Sequence, residues 1–365
     1  MPGLRWLRRL STCGVNIARC LPVSCIFKSR VAKSVTARLS LGLFTIYLLL
    51  FEIYLVLPSL FGREVHLTYC ILLVIYAFFY ASVIKCIFVD PSIRGLLLSS
   101  KSKPDWSYCL TCQTVRPPRA HHCFDCGTCV LRRDHHCTII AQCIGHANWR
   151  YFCNTLFYGM LGCIFMSYYN LQLIFQSDYF PLTWSAYYRL LCILAPPGFM
   201  WLTGYLTFLQ SFVFLTTSLS FFTACLLCVF IIYQFNMMLC NQTMFERAFH
   251  SFSRHHNHTN NNNNNSNNND NSYTDYSSPA VRTYQQQKEK EETETLKTSS
   301  STTAQQQQLP GYNNSSPCMY NIGYINNIKQ YLGERWILAF LCPLVNSPLT
   351  TDGLTYPISD GVKFK

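Results

Sequence analysis

Hydrophobic residues gather in a few long runs along this chain. Four runs reach the roughly 20 residues that a helix needs to cross a hydrocarbon core about 30 Å thick; they cover residues 39–61, 67–89, 152–175 and 205–239. Only a few residues around Gly62 separate the first two runs, which predicts a tight helical hairpin. The pattern predicts a multi-pass α-helical membrane protein with four transmembrane helices.

Two further positions bear on this count. The segment 186–204 is partly apolar, but Pro196 and Pro197 interrupt it, so we expect an interfacial or lumenal segment and not a fifth span. Glu52 lies inside the first run, where a carboxylate in contact with lipid is costly. We expect its carboxyl to be hydrogen-bonded inside the helical bundle; a marker of a transport pathway is the other interpretation.

Lysine and arginine are distributed unevenly around the four runs. They are frequent in residues 1–38 and 90–151, whereas the short connections contain only Arg63 and Arg189. Cytosolic flanks of membrane helices are enriched in these residues. Both termini and the segment 90–151 are therefore predicted to lie in the cytosol.

The composition agrees with a membrane protein. Of the 365 residues, 50% are hydrophobic and only 13% are charged, against roughly 25% charged residues in a soluble domain. The net charge of +12 is expected to form a positive cytosolic face beside anionic lipid. No nucleic-acid partner is expected, because no basic stripe with interleaved aromatic residues stands out. The basic N-terminus also lacks the long apolar core of a cleavable secretion signal.

These patterns divide the chain into five segments. They are a basic cytosolic arm (1–38), a transmembrane hairpin (39–89), a cytosolic cysteine-rich domain (90–151), two further spans with a lumenal loop (152–240), and a cytosolic tail (241–365). The tail contains an Asn/Gln-rich insert at 251–312 that is too polar to bury a core and is expected to be disordered. Residues 320–344 return to roughly helical spacing.

Cysteine spacing carries the strongest chemical signal. Seven of the 20 cysteines lie between residues 109 and 143, several in pairs separated by two residues. A short turn between two such thiolates lets both approach one tetrahedral Zn²⁺, and a reducing cytosol keeps the thiols from forming disulfides. We therefore predict two structural Zn²⁺ ions in this domain.

A count of ligands leaves one thiol over. Two Cys₃His sites use six of the seven cysteines and two of four imidazoles, which belong to His121, His122, His135 and His136. The count does not say which cysteine is free, but Cys137 alone directly follows His and Asp, groups that orient and activate a thiol nucleophile. Neighbouring side chains on an extended backbone point to opposite faces. One of His135 and His136 can therefore bind metal while the other meets Cys137.

These residues resemble the cysteine-rich domain of the Asp-His-His-Cys (DHHC) protein S-acyltransferases, or palmitoyltransferases. The resemblance implies a zinc domain of short β-hairpins between the second and third spans. It also implies one zinc site at Cys109, Cys112, His122 and Cys129, and a second at Cys123, Cys126, His136 and Cys143. It places the nucleophile at Cys137, its partner base at His135 and the orienting carboxylate at Asp134.

Three shorter motifs extend the resemblance beyond the cysteine-rich domain. Asp90-Pro91-Ser92 resembles an Asp-Pro-Gly element after the second span, and Thr243-Met244-Phe245-Glu246 resembles a Thr-Thr-x-Glu element after the fourth. Tyr320, Gly323 and Asn327 resemble a C-terminal motif that packs the tail against the spans. The chain departs from the family at Thr138-Ile139, where Pro-Trp is usual, and at Ala141-Gln142, where Asn-Asn is usual.

The resemblance implies a function as well as a fold. We expect transfer of a fatty acyl group, palmitoyl above all, from acyl-CoA to cysteines of membrane-associated proteins, at an active site facing the cytosol in Golgi or endoplasmic reticulum membranes. Cationic side chains that could attract the CoA phosphates are Arg116, Arg119, Arg132, Arg133 and Arg150. The alternative is a membrane-anchored zinc module used only for binding, such as a RING-like ubiquitin ligase or a scaffold, which would need no free thiol.

Overall fold

A computed structural model describes residues 30–61, 66–96, 103, 106–176, 201–204, 206–249, 251 and 319–359. The predicted basic arm up to residue 29, nearly all of the lumenal loop and almost the whole Asn/Gln-rich insert lie outside these described residues. The segment 186–204, with its two prolines, is described only from residue 201 onwards.

All four hydrophobic runs are helical. The helices are α1 (Arg30–Phe51), the short α2 (Leu57–Phe61), α3 (His66–Phe88), α4 (Trp149–Phe175) and α5 (Phe208–Leu239). Among the described residues, three helical segments are long and apolar enough to cross a membrane: Ala32–Phe61, His66–Phe88 and Phe208–Leu239. Helix α4 has the length but is less apolar, because its buried face carries Asn154 and Asn170.

Helix α4 is the centre of the bundle and packs against both α3 and α5. Near the C-terminal end of α4, Leu173 and Ile174 are fully buried against Val213 and Phe214 of α5. Burying one such side chain contributes about 1.5–3 kcal/mol. The bundle surface, in contrast, exposes large apolar side chains such as those of Leu43 and Leu226, as expected for helices that face lipid.

Glu52 occupies a π-helical turn, Glu52–Val56, between α1 and α2. The side chain is fully buried, as expected, but neither of its carboxylate oxygens has a hydrogen-bond partner among the described residues. The prediction of a hydrogen-bonded carboxyl was therefore wrong. A π turn is a rare local departure from the α-helix, and Glu52 begins this turn with its side chain inside the bundle.

The cysteine-rich domain consists of three two-stranded antiparallel hairpins, each with strands of three residues. The first hairpin pairs β1 (Ser107–Cys109) with β2 (Thr114–Arg116). The second pairs β3 (His121–Cys123) with β4 (Thr128–Val130), and the third pairs β5 (His135–Cys137) with β6 (Gln142–Ile144). In the last two, His122 lies opposite Cys129 and His136 lies opposite Cys143. The predicted short hairpins are therefore present between the second and third hydrophobic helices.

Short polar motifs fix this domain to the helices. Asp90 closes a turn by accepting hydrogen bonds from the backbone N–H and the hydroxyl of Ser92, and Ser92 forms a bridge with Val130 of the second hairpin. Asn148, just before α4, is fully buried and donates to the carbonyl oxygens of Cys86 and Cys143. The end of α3, the third hairpin and the start of α4 are thereby joined.

The C-terminal tail returns to the bundle through α6 (Tyr324–Leu332) and α7 (Trp336–Leu341). Gly333 separates these two helices with φ +88°, and a Cβ at this position would collide with Ser347 and Pro348. Asn327 is fully buried and donates to the carbonyl oxygen of Leu239 at the end of α5. The tail therefore packs against the end of α5 through the motif that contains Asn327.

A buried polar cluster joins the hairpins, the end of α5 and the tail. Arg119 forms a two-pronged ion pair with Glu246, with N–O distances of 2.6 and 2.9 Å. The Asn241 side-chain oxygen accepts from Arg119 and Arg132, both at 3.0 Å, while its nitrogen donates to Gln330. Removal of one member of a buried ion pair leaves an uncompensated charge, which is strongly destabilising.

We predict that Glu246→Gln lowers the free energy of unfolding by about 3–5 kcal/mol, because Arg119 would stay buried without its carboxylate. Thermal unfolding of the detergent-solubilised protein measures the effect. Glu334→Gln is the matched control: Glu334 pairs with Lys329 at 3.3 Å, but its side chain is 55% exposed, so the change should be below about 1 kcal/mol. Equal losses in the two variants would contradict the prediction.

Candidate active site

Two groups of metal-ligating side chains span the hairpins. One group is Cys109, Cys112, His122 and Cys129; the other is Cys123, Cys126, His136 and Cys143. Within each group, all the candidate donor atoms lie within 4.8 Å of one another. These are the two sets that the family resemblance implied, each with three thiols and one imidazole.

The distances inside each group fit a tetrahedral ion. The Nδ1 atom of His122 lies 3.7, 3.2 and 3.9 Å from the sulfurs of Cys109, Cys112 and Cys129. A tetrahedral centre with Zn–S near 2.3 Å and Zn–N near 2.1 Å separates nitrogen from sulfur by about 3.6 Å. In the second group, His136 lies 3.3–3.7 Å from its three sulfurs. The donor sets therefore suit structural zinc sites.

A repeat within the hairpins explains how the two groups form. Cysteine recurs at equal intervals at residues 109, 123 and 137, always at the end of a first strand. The turn that follows always contains a residue with positive φ, which is Gln113, Gly127 or Ala141. Each group combines the turn cysteines of one hairpin with the facing His and Cys of the next. The repeat is visible in the sequence and is a signal that the ligand count did not use.

The third hairpin departs from this repeat. Ile140 stands where the first two hairpins have Cys112 and Cys126, and the chain continues into α4 instead of a fourth hairpin. Cys137 consequently has neither a second cysteine in its own turn nor a His–Cys pair beyond it. Among the described residues, it is the only cysteine of the domain outside both metal groups. This position is the physical reason why its thiol is the surplus one.

Cys137, His135 and Asp134 lie together at the end of this hairpin. His135 Nδ1 is 2.8 Å from Asp134 Oδ2, and the Asp134 side chain is only 2% exposed. The other oxygen of Asp134 accepts a hydrogen bond from the backbone N–H of Met244 at 2.9 Å. The imidazole also packs edge-on against Phe152 of α4. Both the orientation and the tautomer of His135 are thereby fixed.

The electrostatic environment favours the protonated form of the His135 imidazole and the deprotonated form of the Cys137 thiol. Burial lowers the pKa of His135, but hydrogen bonds with Asp134 and Cys137 outweigh burial and raise this pKa to about 9. Burial raises the pKa of the Cys137 thiol, but its hydrogen bond with His135 outweighs this effect, so the net shift is downward. A lowered thiol pKa is the property of a reactive cysteine.

An apolar cavity of about 250 Å³ opens beside Cys137. Its walls come from α1, α3, α4 and α5, and Cys137, Ile139 and Ile140 line it on the hairpin side. On α4 the lining residues run from Phe152 to Met166, which corresponds to about 21 Å along a helix that rises 1.5 Å per residue. The Cys137 thiol thus lines the hairpin side of a long apolar space.

Comparison with known proteins agrees with this geometry. The family model described as DHHC palmitoyltransferase matches residues 102–251. The chain is 28% identical over 280 residues to "Probable palmitoyltransferase ZDHHC24" of Danio rerio, covering 76% of this chain and 70% of that protein. It is 57% identical over 60 residues to "Palmitoyltransferase ZDHHC20" of Bos taurus, covering 16% of each chain. These similarities support the DHHC-type palmitoyltransferase family for this chain.

The matched DHHC palmitoyltransferase domain and the similar palmitoyltransferases confirm the prediction of a protein palmitoyltransferase, and with it the prediction of an acyltransferase enzyme. The match also covers both metal groups and the Asp-His-His-Cys sequence itself. The alternative of a zinc module used only for binding is not supported.

The five arginines that we expected to attract CoA phosphates fall into two classes. Arg119 and Arg132 are 4% and 3% exposed and donate to protein acceptors in the buried cluster around Asn241. Their burial contradicts a role in binding CoA, and the structure gives them a connecting role instead. Arg116, Arg133 and Arg150 are half-buried and keep part of their surface in solvent.

The surplus imidazole of His121 is buried within the cysteine-rich domain. Its ring lies 4.2 Å from the ring of Phe245. Burial, followed by the charges of nearby arginines, holds its pKa well below the usual range. His121 is therefore a neutral imidazole packed inside the domain; the family resemblance distinguished it from the neighbouring ligand His122, whereas the ligand count did not.

Replacing a ligand should remove one metal ion, whereas replacing Cys137 should remove none. We predict that purified Cys126→Ser binds one Zn²⁺ equivalent less than the wild type and that Cys137→Ser binds the wild-type amount, because Cys137 lies outside both metal groups. Elemental analysis of the purified proteins measures the content. Loss of metal from Cys137→Ser would contradict the assignment.

Proposed function

We propose that this palmitoyltransferase works through an acyl-enzyme at Cys137. The observation that carries the proposal is the meeting of Asp134, His135 and Cys137 at the mouth of the apolar cavity. Because Nδ1 of His135 faces Asp134, Nε2 is the nitrogen left to take a proton from the thiol. The Asp134 carboxylate stabilises the imidazolium that results.

The reaction has two balanced steps. The Cys137 sulfur attacks the thioester carbonyl of an acyl-CoA, the bond from the carbonyl carbon to the CoA sulfur breaks, and CoA leaves as the thiol after His135 returns the proton. A cysteine thiol of a protein substrate then loses its proton to His135 and attacks the Cys137 thioester. The bond to the Cys137 sulfur breaks, and the proton returns to Cys137. Because a thioester replaces a thioester in each step, proximity of the reacting groups supplies much of the rate.

The cavity provides that proximity on the acyl side. Transfer of each CH₂ group from water into an apolar space contributes about 0.8 kcal/mol, so a long acyl chain is held more tightly than a short one. The chain would lie along α4 with its carbonyl beside Cys137. We therefore propose palmitoyl-CoA or another long-chain acyl-CoA as the co-substrate.

The two Cys₃His groups would each hold a structural Zn²⁺. Bound zinc would cross-link the hairpins and so fix the backbone that presents His135 and Cys137. The proton transfer itself depends on His135 and Asp134. Arg116, Arg133 and Arg150 are the cations that we propose for the CoA phosphates, because each keeps part of its surface in solvent near the hairpins.

We further propose four spans, with α4 as the third. Helix α4 has 27 residues, or about 40 Å at 1.5 Å per residue, and packs between two helices that are apolar enough to cross. Its asparagines lie on the buried face, so they do not meet lipid. The basic flanks of the cysteine-rich domain then favour a cytosolic active site, where cysteines of membrane-associated proteins are the acceptors. Residence in the Golgi or endoplasmic reticulum stays a prediction.

Labelling with an acyl-CoA tests the acyl-enzyme directly. We predict that the purified protein incubated with labelled palmitoyl-CoA acquires label that neutral hydroxylamine removes, and that Cys137→Ser acquires none. Cys163→Ser is the matched control, since Cys163 also lines the cavity and should leave the labelling unchanged. Equal labelling of Cys137→Ser and wild type would disprove the proposed nucleophile.

Filling the cavity should discriminate between acyl chains. A Cβ at Gly162 would meet only Ile75, at 3.8 Å, so a larger side chain can be placed here in the cavity wall. We predict that Gly162→Phe slows self-acylation by palmitoyl-CoA at least about 10-fold, while a short acyl-CoA such as octanoyl-CoA is little affected, because about 0.8 kcal/mol per buried CH₂ is lost. Ile164→Phe, on the exposed side of the same helix, should change neither rate. Equal slowing of the two acyl-CoAs by Gly162→Phe would contradict the assignment of the cavity.

A further inference from the structure

Arg38 near the start of α1 reaches across to the turn that follows Cys137. Its Nε donates to the carbonyl oxygen of Ile140 at 3.0 Å, and its Nη2 donates to the carbonyl oxygen of Ala141 at 3.0 Å. A longer contact joins Nη2 to the side-chain oxygen of Gln142 at 3.4 Å. A single side chain of the first helix thus binds three consecutive residues of the third hairpin.

This turn lacks the support that the other two hairpin turns have. In the first two hairpins, a cysteine of a metal-ligating group, Cys112 or Cys126, directly precedes the residue with positive φ, so a bound metal ion would fix the turn. In the third hairpin Ile140 holds this place and offers no ligand. Ala141 nevertheless has φ +52°, a backbone conformation that is unfavourable for a residue with a Cβ.

The guanidinium group of Arg38 is suited to stabilise the turn of the third hairpin. A guanidinium group presents several N–H donors in one rigid plane, and here two of them meet two successive carbonyl oxygens. These carbonyl groups belong to a turn and have no partner in the strand ladder, which pairs Cys137 with Gln142 as its last position. The charge of Arg38 also makes these hydrogen bonds stronger than neutral ones.

We propose that Arg38 is a positioning residue that replaces a metal ion in the third hairpin. It holds the turn in its unfavourable conformation, and through the turn it sets the place of Cys137 and of the cavity wall formed by Ile139 and Ile140. The usual family residue at position 141 is Asn, which tolerates positive φ better than Ala. The chain therefore depends on Arg38 more strongly because it carries Ala141.

The proposal rests on the proposed function of Cys137 only for its effect on rate, so the test has a second readout. Self-acylation is measured at saturating palmitoyl-CoA, and amide hydrogen exchange is measured for the peptide that covers residues 137–142. Arg38→Ala should slow acylation at least about 10-fold, because small displacements of reacting groups are costly, and should speed exchange in this peptide. Zinc content should stay at the wild-type value.

One control variant, one conservative variant and one rescue variant complete the experiment. Lys33→Ala removes an exposed cation from the same end of α1 and should leave both readouts unchanged. Arg38→Lys keeps the charge but loses the planar group, so it should fall between wild type and Arg38→Ala. Ala141→Asn, combined with Arg38→Ala or with Arg38→Lys, should restore at least about a third of the lost rate, because the turn then needs less support.

The outcomes separate cleanly. Wild-type acylation and exchange in Arg38→Ala would overturn the proposal, as would a slow variant whose exchange at 137–142 is unchanged. Failure of Ala141→Asn to improve either Arg38 variant would also overturn it. If Arg38→Ala loses zinc or unfolds, the Arg38→Lys pair carries the same comparison. Faster exchange in Arg38→Ala together with no acylation of any variant, wild type included, would disprove the acyl-enzyme and support the positioning role.

Discussion

Hairpins with three-residue strands cannot hold a shape in water by themselves, since an isolated pair of strands is at best marginally stable. The cysteine-rich domain has three such hairpins, and the rest of the active site depends on what holds them. Each of two Cys₃His groups combines residues of one hairpin with residues of the next, so a metal ion in each group would join the hairpins in chain order. The third hairpin supplies His136 and Cys143 to the second group but supplies no ligand to a further group, and Cys137 lies in this third hairpin.

The third hairpin, which carries Cys137, packs against the helices. Asn148 connects the third hairpin to the ends of α3 and α4, and Phe152 brings the first turn of α4 against His135. On the other side, Asn241 and the Arg119–Glu246 pair connect the hairpins to the end of α5 and to the tail. Buried polar contacts of this kind require defined geometry. They hold the Cys137 thiol at the cavity and fix the domain against the helices.

The sequence predicted the local features well because their signals are local. Hydrophobic runs located the helices, paired cysteines located the metal-ligating groups, and the neighbours of Cys137 singled out this thiol. Spatial relations between distant segments left weaker traces. Charge alone made Arg119 and Arg132 resemble Arg116 and Arg133, yet a partner more than a hundred residues away buries Arg119. Among the described residues, the lack of a hydrogen-bond partner for Glu52 and the reach of Arg38 to Ile140 depend in the same way on how helices pack.

The hydrogen bond between Met244 and Asp134 comes from a peptide group and not from a side chain. Every amino acid except proline offers the same N–H at this position. The family usually has Thr at position 244, but the side chain at this position does not supply the donor. The position of the N–H is set by the backbone of the helical turn that Thr243 and Glu246 cap. Natural drift at residue 244 is therefore compatible with an intact orientation of the carboxylate.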